Sequence, residues 1–301
     1  MNWKLLIAFI SLILFQESTI AQEVHEKRFY PTRLYEKGGL EVKSFNNYYS
    51  ERFEDGFRQD FFASFLQILI GSDKNINWGL DMRFRSAATT NNKSNRFIAF
   101  PLRDEPINLG LTDSQINFRR VGLSAIGPRV KYAVKSTSGS ISILHAVYFP
   151  TLDQAEGNAD YGFADWEHLQ FYNNLFFEKK VNNNASYFID AGFHLENFGS
   201  YLFNDEIGYA QLLTPVTFIY NYFPSWKQTI YGMVNLTPRF GFNDNGDHVD
   251  SAVGGFAQLG IGGKYFLRSW LEAEVLYTQF FNFGLNSSAS TINLGFRYFR
   301  N

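Results

Sequence analysis

The run from Ile76 to Arg85 alternates without a break. Ile76, Trp78, Leu80, Met82 and Phe84 take one side; Asn77, Gly79, Asp81, Arg83 and Arg85 take the other. Side chains that change side at every residue, apolar on one side only, define a half-buried β-strand. From Ala185 to Glu196, Tyr187, Ile189, Ala191, Phe193 and Leu195 oppose Ser186, Asp190, His194 and Glu196. From Leu271 to Phe281, Leu271, Val275 and Tyr277 oppose Glu272, Glu274 and Thr278. The last stretch sets Ile292, Leu294, Phe296 and Tyr298 against Thr291, Asn293, Gly295 and Arg297. With turn-rich breaks as boundaries, strands are predicted near 40–50, 57–70, 76–88, 119–134, 139–149, 167–180, 185–197, 209–223, 228–241, 251–266, 270–283 and 290–300. Two read less cleanly. Leu40 to Ser50 has no clean apolar face. Arg119 to Val134 changes phase around Gly127-Pro128, from Val121, Leu123 and Ala125 to Val130, Tyr132 and Val134, which predicts a bulge there.

The connections alternate in length. Short breaks fall at Gly71–Asn75, Lys135–Ser138, Val181–Asn184, Pro224–Lys227 and Leu267–Ser269. Longer ones fall at Thr89–Phe118, Pro150–Trp166, Phe198–Gly208 and Phe242–Asp250. Glu51–Gly56 and Gly284–Ala289 are shorter but keep the same parity. Twelve antiparallel strands with short turns at one end and long loops at the other suit a closed membrane barrel, which has an even strand number. A soluble barrel would carry the same period with its apolar side inward.

The amino terminus changes the picture. Asn2, Trp3 and Lys4 lead into an apolar run from Leu5 to Phe15, then Gln16 to Ile20 and Ala21. A short basic start, about 7–15 apolar residues and small residues at the cut mark a secretory signal peptide. Thr19 and Ala21 suit the cut, so residues 1–21 are expected to leave and the mature chain to start at Gln22 as one domain, 22–301. The run is too short for a membrane helix, which needs roughly 20 apolar residues. After Phe15 the longest apolar run, Phe61 to Ile70, is interrupted by Gln67. Membrane crossing by helices is therefore not expected. The chain has no Cys, so neither disulfides nor a lipidated cysteine hold it. Phe and Tyr are abundant, 33 and 17 residues, while the mean hydropathy is slightly negative, as expected of strands with a lipid-facing and a lumen-facing side. The net charge of −2 suggests no nucleic acid as partner.

Over its mature length the chain resembles the bacterial outer-membrane β-barrels. The aromatic-rich last strand, Ser290 to Asn301, resembles the strand that closes such barrels and is read by the barrel-assembly machinery. The resemblance implies an all-β, transmembrane, antiparallel up-and-down barrel in the outer membrane of a Gram-negative bacterium. Its expected partners are outer-membrane lipid, the assembly machinery and a small solute; no cofactor is expected. The loose likeness to medium-sized transporter barrels rests on architecture alone, and no short motif names a substrate. Rings at strand ends fit the headgroup belts of such a protein. Trp78, Tyr222, Trp226, Tyr265, Trp270 and Tyr298 are expected at the periplasmic ends, and Tyr48, Tyr49, Trp166, Tyr209, Phe281 and Phe283 at the outer ends.

Candidate chemistry follows from the faces. Asp81, Arg83, Arg85, Arg129, Lys131, Glu178, Lys180, Asp190, His194, Glu196, Arg239, Lys264, Glu272, Glu274 and Arg297 are placed inside. Mixed charges there either select solutes in a wet, narrow channel or pair with one another and fill the lumen. On this reading a polar swap at Arg83 should cost little. The Thr89–Phe118 connection is long and apolar; Phe97, Phe100 and Leu102 are the expected plug or solute contacts, while Pro101 and Pro106 oppose spanning strands there. An outer loop packed on its neighbours is the alternative.

Enzymatic readings are weak, and the protein is expected not to be an enzyme. Outer-membrane phospholipases carry a Ser-His pair on the lipid-facing side, but Ser142 and His145 here point to opposite faces. Asp190 and His194 share a face without completing a triad or metal site. Asn243 to Asp250 lacks the spacing of a calcium loop and reads as a turn. The function expected is a narrow or gated channel, with a structural or adhesion barrel as the alternative.

Overall fold

The computed structural model describes residues 32–53, 58–73, 75–90, 105–109, 116–156, 164–198, 210–242, 254–282 and 287–300. Its strands are β1 (Leu40–Phe53), β2 (Arg58–Asp73), β3 (Ile76–Thr90), β4 (Glu105–Leu109), β5 (Ile116–Val134), β6 (Ser140–Pro150) and β7 (Leu169–Asn182). They continue as β8 (Ala185–Phe198), β9 (Ala210–Leu213), β10 (Val216–Ser225), β11 (Gln228–Phe242), β12 (Gly254–Arg268), β13 (Leu271–Asn282) and β14 (Ser287–Arg300). Every pairing is antiparallel. β1 pairs with β2 on one side and with β14 on the other, Leu40 facing both Ile70 and Arg300, so the sheet closes on itself. β9 and β10 are two pieces of one crossing, and β4 pairs only with β5, so twelve crossings form the wall. Pro106 sits in that five-residue β4, on an edge where a missing N–H is tolerated. The fold is an all-β, up-and-down barrel of twelve strands.

The faces are inverted relative to a water-soluble barrel. On β3, Trp78 is 58 %, Leu80 37 % and Phe84 40 % exposed on the outside, while Asp81 and Arg83 are each 1 % exposed inside. Exposed apolar side chains recur on the other strands, among them Leu236, Ile261, Val275 and Ile292. A band of that extent is stable against lipid, not water. No helix among the described residues is long and apolar enough to cross a membrane. The backbone instead satisfies its polar groups from strand to strand around a closed wall, the other arrangement hydrocarbon permits.

Four local features refine the expectation. The bulge in β5 lies at Ser124, before Gly127-Pro128: Arg83 faces Ala125 and Phe84 faces Leu123. Ser124 and Ala125 both turn inward because the Ser124 hydroxyl donates to the Arg83 carbonyl at 3.3 Å and to Asp165 at 2.6 Å. The expected continuous strand at 209–223 is cut at Thr214–Pro215. Pro215 has no N–H to give the ladder, but its carbonyl accepts from the Gly192 N–H at 2.7 Å, and the Thr214 N–H donates to Pro238 at 3.1 Å. Third, β1 lacks an apolar outer face because a polar cluster is satisfied there. Ser64 donates to Asn46 at 2.8 Å, Asn46 to the Leu294 carbonyl at 3.2 Å, and the Tyr48 hydroxyl to Asp60 at 3.0 Å.

The fourth concerns the aromatic belts. Trp78, Tyr222, Tyr265 and Trp270 are exposed at the short-turn end, where Trp270 meets Tyr298 edge-on with centroids 5.6 Å apart and Trp226 is half-buried in its turn. Phe281 is exposed at the other end. Tyr49 and Trp166 point inward instead. Tyr49 shares the side of Glu51, to which its hydroxyl donates at 2.7 Å, and the Trp166 indole donates to Glu196 at 2.9 Å. Tyr209 and Phe283 lie outside the described residues, as do residues 1–21.

Candidate functional site

Two obstructions enter the lumen, one from each end. At the long-loop end the β6–β7 connection folds inward. Ala164 packs with Ala87, Phe61 and Leu152, and the N–H groups of Ala164 and Asp165 both donate to the Ala155 carbonyl, at 2.7 and 3.1 Å. Asp165 then meets two guanidinium groups. Its carboxylate lies 3.4 Å from Arg83 Nη1 and 3.5 Å from Arg85 Nε, and accepts from Ser124, from Gln170 at 3.3 Å and from the Trp166 N–H at 2.9 Å. Arg83 donates to Gln170 Oε1 at 2.7 Å and is stacked by rings, its guanidinium carbon 4.5 Å from the Tyr148 centroid and 5.3 Å from those of Tyr172 and Phe65. Burial alone would raise the Asp165 carboxyl; Arg85, Arg83, the Ser124 hydroxyl and the Trp166 N–H together hold it below the usual aspartate range. A charge this buried persists only when paired. Arg83 is therefore a structural hub, and a polar swap there is not harmless, contrary to expectation.

At the short-turn end the segment 32–39 lies across the opening. Tyr35, 2 % exposed, gives its N–H to Asn77 Oδ1 at 2.8 Å, and Asn77 Nδ2 returns a bond to the Tyr35 carbonyl at 2.9 Å. The Tyr35 hydroxyl donates to Glu41 at 2.7 Å; burial and the Glu41 charge push its ionisation upward. Lys131 donates to the Arg33 carbonyl at 3.0 Å and Thr32 to Glu178 at 3.3 Å. Gly71 is required here: a Cβ on it would stand 1.9 Å from the Glu36 carbonyl oxygen. The segment is tied to inward residues of β3, β5 and β7 at once.

Between the obstructions lies a chamber of about 500 Å³. Arg129, Lys131, Asp190, His194, Lys264, Glu272 and Glu274 of the sequence-placed residues line it. Asp81 sits behind them, accepting from Arg129 at 2.9 Å and from the Tyr148 hydroxyl at 2.7 Å. Arg297 is buried on Glu272 at 2.9 Å, and Lys264 lies 3.6 Å from Glu274. Asp190 and His194 meet through Asn174, which donates to Asp190 at 2.7 Å and lies 3.2 Å from His194 Nε2; the His194 ring stacks on Tyr172 at 4.1 Å. Glu196 belongs to the outer obstruction through Trp166 and Tyr172. Arg239 faces inward beside Gly254 and does not line the chamber, and Lys180 is exposed by its turn. Phe97, Phe100, Leu102 and Asn243–Asp250 lie outside the described residues.

Sequence reasoning did not find Asp165, Gln170, Ser124, Asn77 or Tyr35. It also did not single out Tyr148 and Tyr172, whose strands carry apolar side chains on both faces. Ser142 is buried inside, while His145 is held outside between the Tyr132 hydroxyl at 3.2 Å and Asn173 at 2.5 Å, so the wall separates the two. Among the described residues no group of three or more His, Cys, Asp or Glu could hold a metal ion.

A closed antiparallel barrel with its apolar side outward is the fold of bacterial outer-membrane β-barrels. Solved structures share it: an outer membrane channel from Pseudomonas putida F1, at 7 % identity, covers 91 % of this chain and 99 % of its own with a TM-score of 0.62. The β domain of the Bordetella autotransporter BrkA, at 10 % identity, covers 87 % and 99 % with a TM-score of 0.53. No protein-family model and no curated protein matches the sequence.

Proposed function

We propose that this protein is a gated channel for a small solute in the outer membrane, exported by its amino-terminal signal peptide and oriented with its short turns toward the periplasm. The observation that carries the reading is the chamber itself. A barrel whose only task was structural would fill its lumen with paired side chains throughout, as the Arg83 layer does. Here about 500 Å³ is left between two closures made of chain segments that are not strands of the wall. The fold shared with an outer membrane channel supports the same reading. The inward charges and the two closures then control passage, and no step of catalysis is involved.

The test is conductance across a planar bilayer and solute uptake by proteoliposomes. The wild-type protein is expected to conduct in brief openings, and variants that release either closure to conduct for longer. If current and uptake remain at background in the wild type and in both released variants, the channel reading fails and a structural barrel is the better account.

A further inference from the structure

We infer that the chamber holds a small monocarboxylate with an apolar body, bound at its charged end by Lys43. The inference rests on the channel reading for its purpose but on separate observations for its chemistry. Lys43 projects from β1 into the chamber. The carboxylates on that wall are already engaged: Glu272 by Arg297, Glu274 by Lys264 and by the Tyr231 hydroxyl at 2.5 Å, Glu41 by the Tyr35 hydroxyl. Among the described residues Lys43 has no carboxylate within ion-pair distance; the Phe45 ring lies 5.0 Å from its ammonium. Glu274 and Glu41 act on this ammonium only from beyond ion-pair distance, and both are held by other groups, so Lys43 keeps room for a direct anionic partner, which stabilises a cation held off bulk water.

The neighbours narrow the class. Gln67 stands opposite Lys43 in register, also lines the chamber, and makes no side-chain hydrogen bond among the described residues. One ammonium beside one amide N–H suits the two oxygens of a single carboxylate, whereas a phosphate dianion would call for more cations. Around the barrel the wall becomes apolar, with Phe176, Phe188, Ile219, Phe223 and Met233 lining the same space. That surface takes the body of the ligand. On β8, across the lumen from β1, Asp190 is held among the described residues by Asn174 and by no cation, and would repel a second negative charge. The site therefore selects a monoanion over a dicarboxylate. Its volume falls within the roughly 300–1,000 Å³ of small-molecule sites.

The probe is hexanoate, titrated by calorimetry against the full protein in lipid nanodiscs, with hexylamine, hexanol and hexanedioate as comparators. Hexanoate is expected to bind at least tenfold more tightly than any comparator. Lys43→Met should lose at least tenfold, while Lys43→Arg and Lys227→Met, an exposed turn residue that does not line the chamber, should retain binding; heat-modifiable gel mobility verifies that each variant is folded. Equal binding of hexanoate and hexanol, or no loss in Lys43→Met, overturns the inference. Hexanoate uptake by proteoliposomes is measured alongside. Binding without uptake leaves the site standing and removes the channel reading. Uptake without Lys43-dependent binding does the reverse.

Discussion

Replacing Asp165 by Ala should open the long-loop end of the barrel. The carboxylate is 2 % exposed and faces Arg83, itself 1 % exposed, and Arg85. Removing one member of a buried ion pair costs about 3–5 kcal/mol, because the other charge is left uncompensated in place. No discount for solvent screening applies to the Asp165–Arg83 pair at such burial. The cost falls on docking of the β6–β7 connection and not on the wall, whose strand ladder does not involve Asp165. At 1.4 kcal/mol per factor of ten, the docked-to-released ratio should fall by about two to three and a half powers of ten. Asp165→Asn keeps the hydrogen-bonding shape without the charge and should fall between. The assays are proteolysis of the connection by externally added protease and single-channel recording, with heat-modifiable mobility as the check on the barrel. If both variants match the wild type in cleavage rate and in current, the ion pair does not hold the loop and the reasoning is wrong.

Other outcomes follow from the same geometry. Because the Asp165 carboxyl is lowered by its partners, its contribution to docking is complete above the free aspartate value of about 3.9 and is lost as pH falls through the lower folded value; current should therefore rise below about pH 4, and Asp165→Asn should remove that dependence. Asn77→Leu takes both bonds from Tyr35 and should release the segment 32–39, seen as faster cleavage by protease added on the short-turn side and longer openings. Leu80→Arg, on the lipid face, should cost roughly 2–4 kcal/mol in urea-driven unfolding from vesicles if mid-membrane, whereas Gln67→Arg, facing the chamber, should cost far less; equal costs would show the faces to be misassigned.

The wall was legible because lipid imposes one rule on most strands, β1 being the exception. Outward positions such as Trp78, Leu80, Ile292 and Leu294 are apolar at a strict period of two, and turns and loops punctuate that pattern. The lumen was legible only where charge marked the inward side, as at Asp81, Glu272 and Arg297. On β6 the inward side is Ser142, Leu144, Ala146 and Tyr148, which does not differ from an outward one in polarity. Asp165 and Tyr35 lie in segments with no period at all, so nothing in their spacing says that they return to the barrel. Two misplacements had usable signals. Tyr49 shares the parity of Lys43 and Glu51, which already puts it inside, and Pro215 in a predicted mid-strand position announces a break.

The seam between β1 and β14 has a consequence for how the molecule comes into being. Its pairs run from Leu40 with Arg300 to Phe53 with Ser287, joining the first strand to the last. Until β14 has been made and delivered, the growing sheet carries two open edges whose amides find no partner in hydrocarbon. Closure of the wall therefore requires β14, the strand that covers the free edge of β1. The segment 32–39 runs directly into β1, so the strand that closes the seam also carries the group that covers the short-turn opening. A closed seam and a tied segment 32–39 thus occur together in one molecule, so on the channel reading any opening of that end has to leave the seam intact.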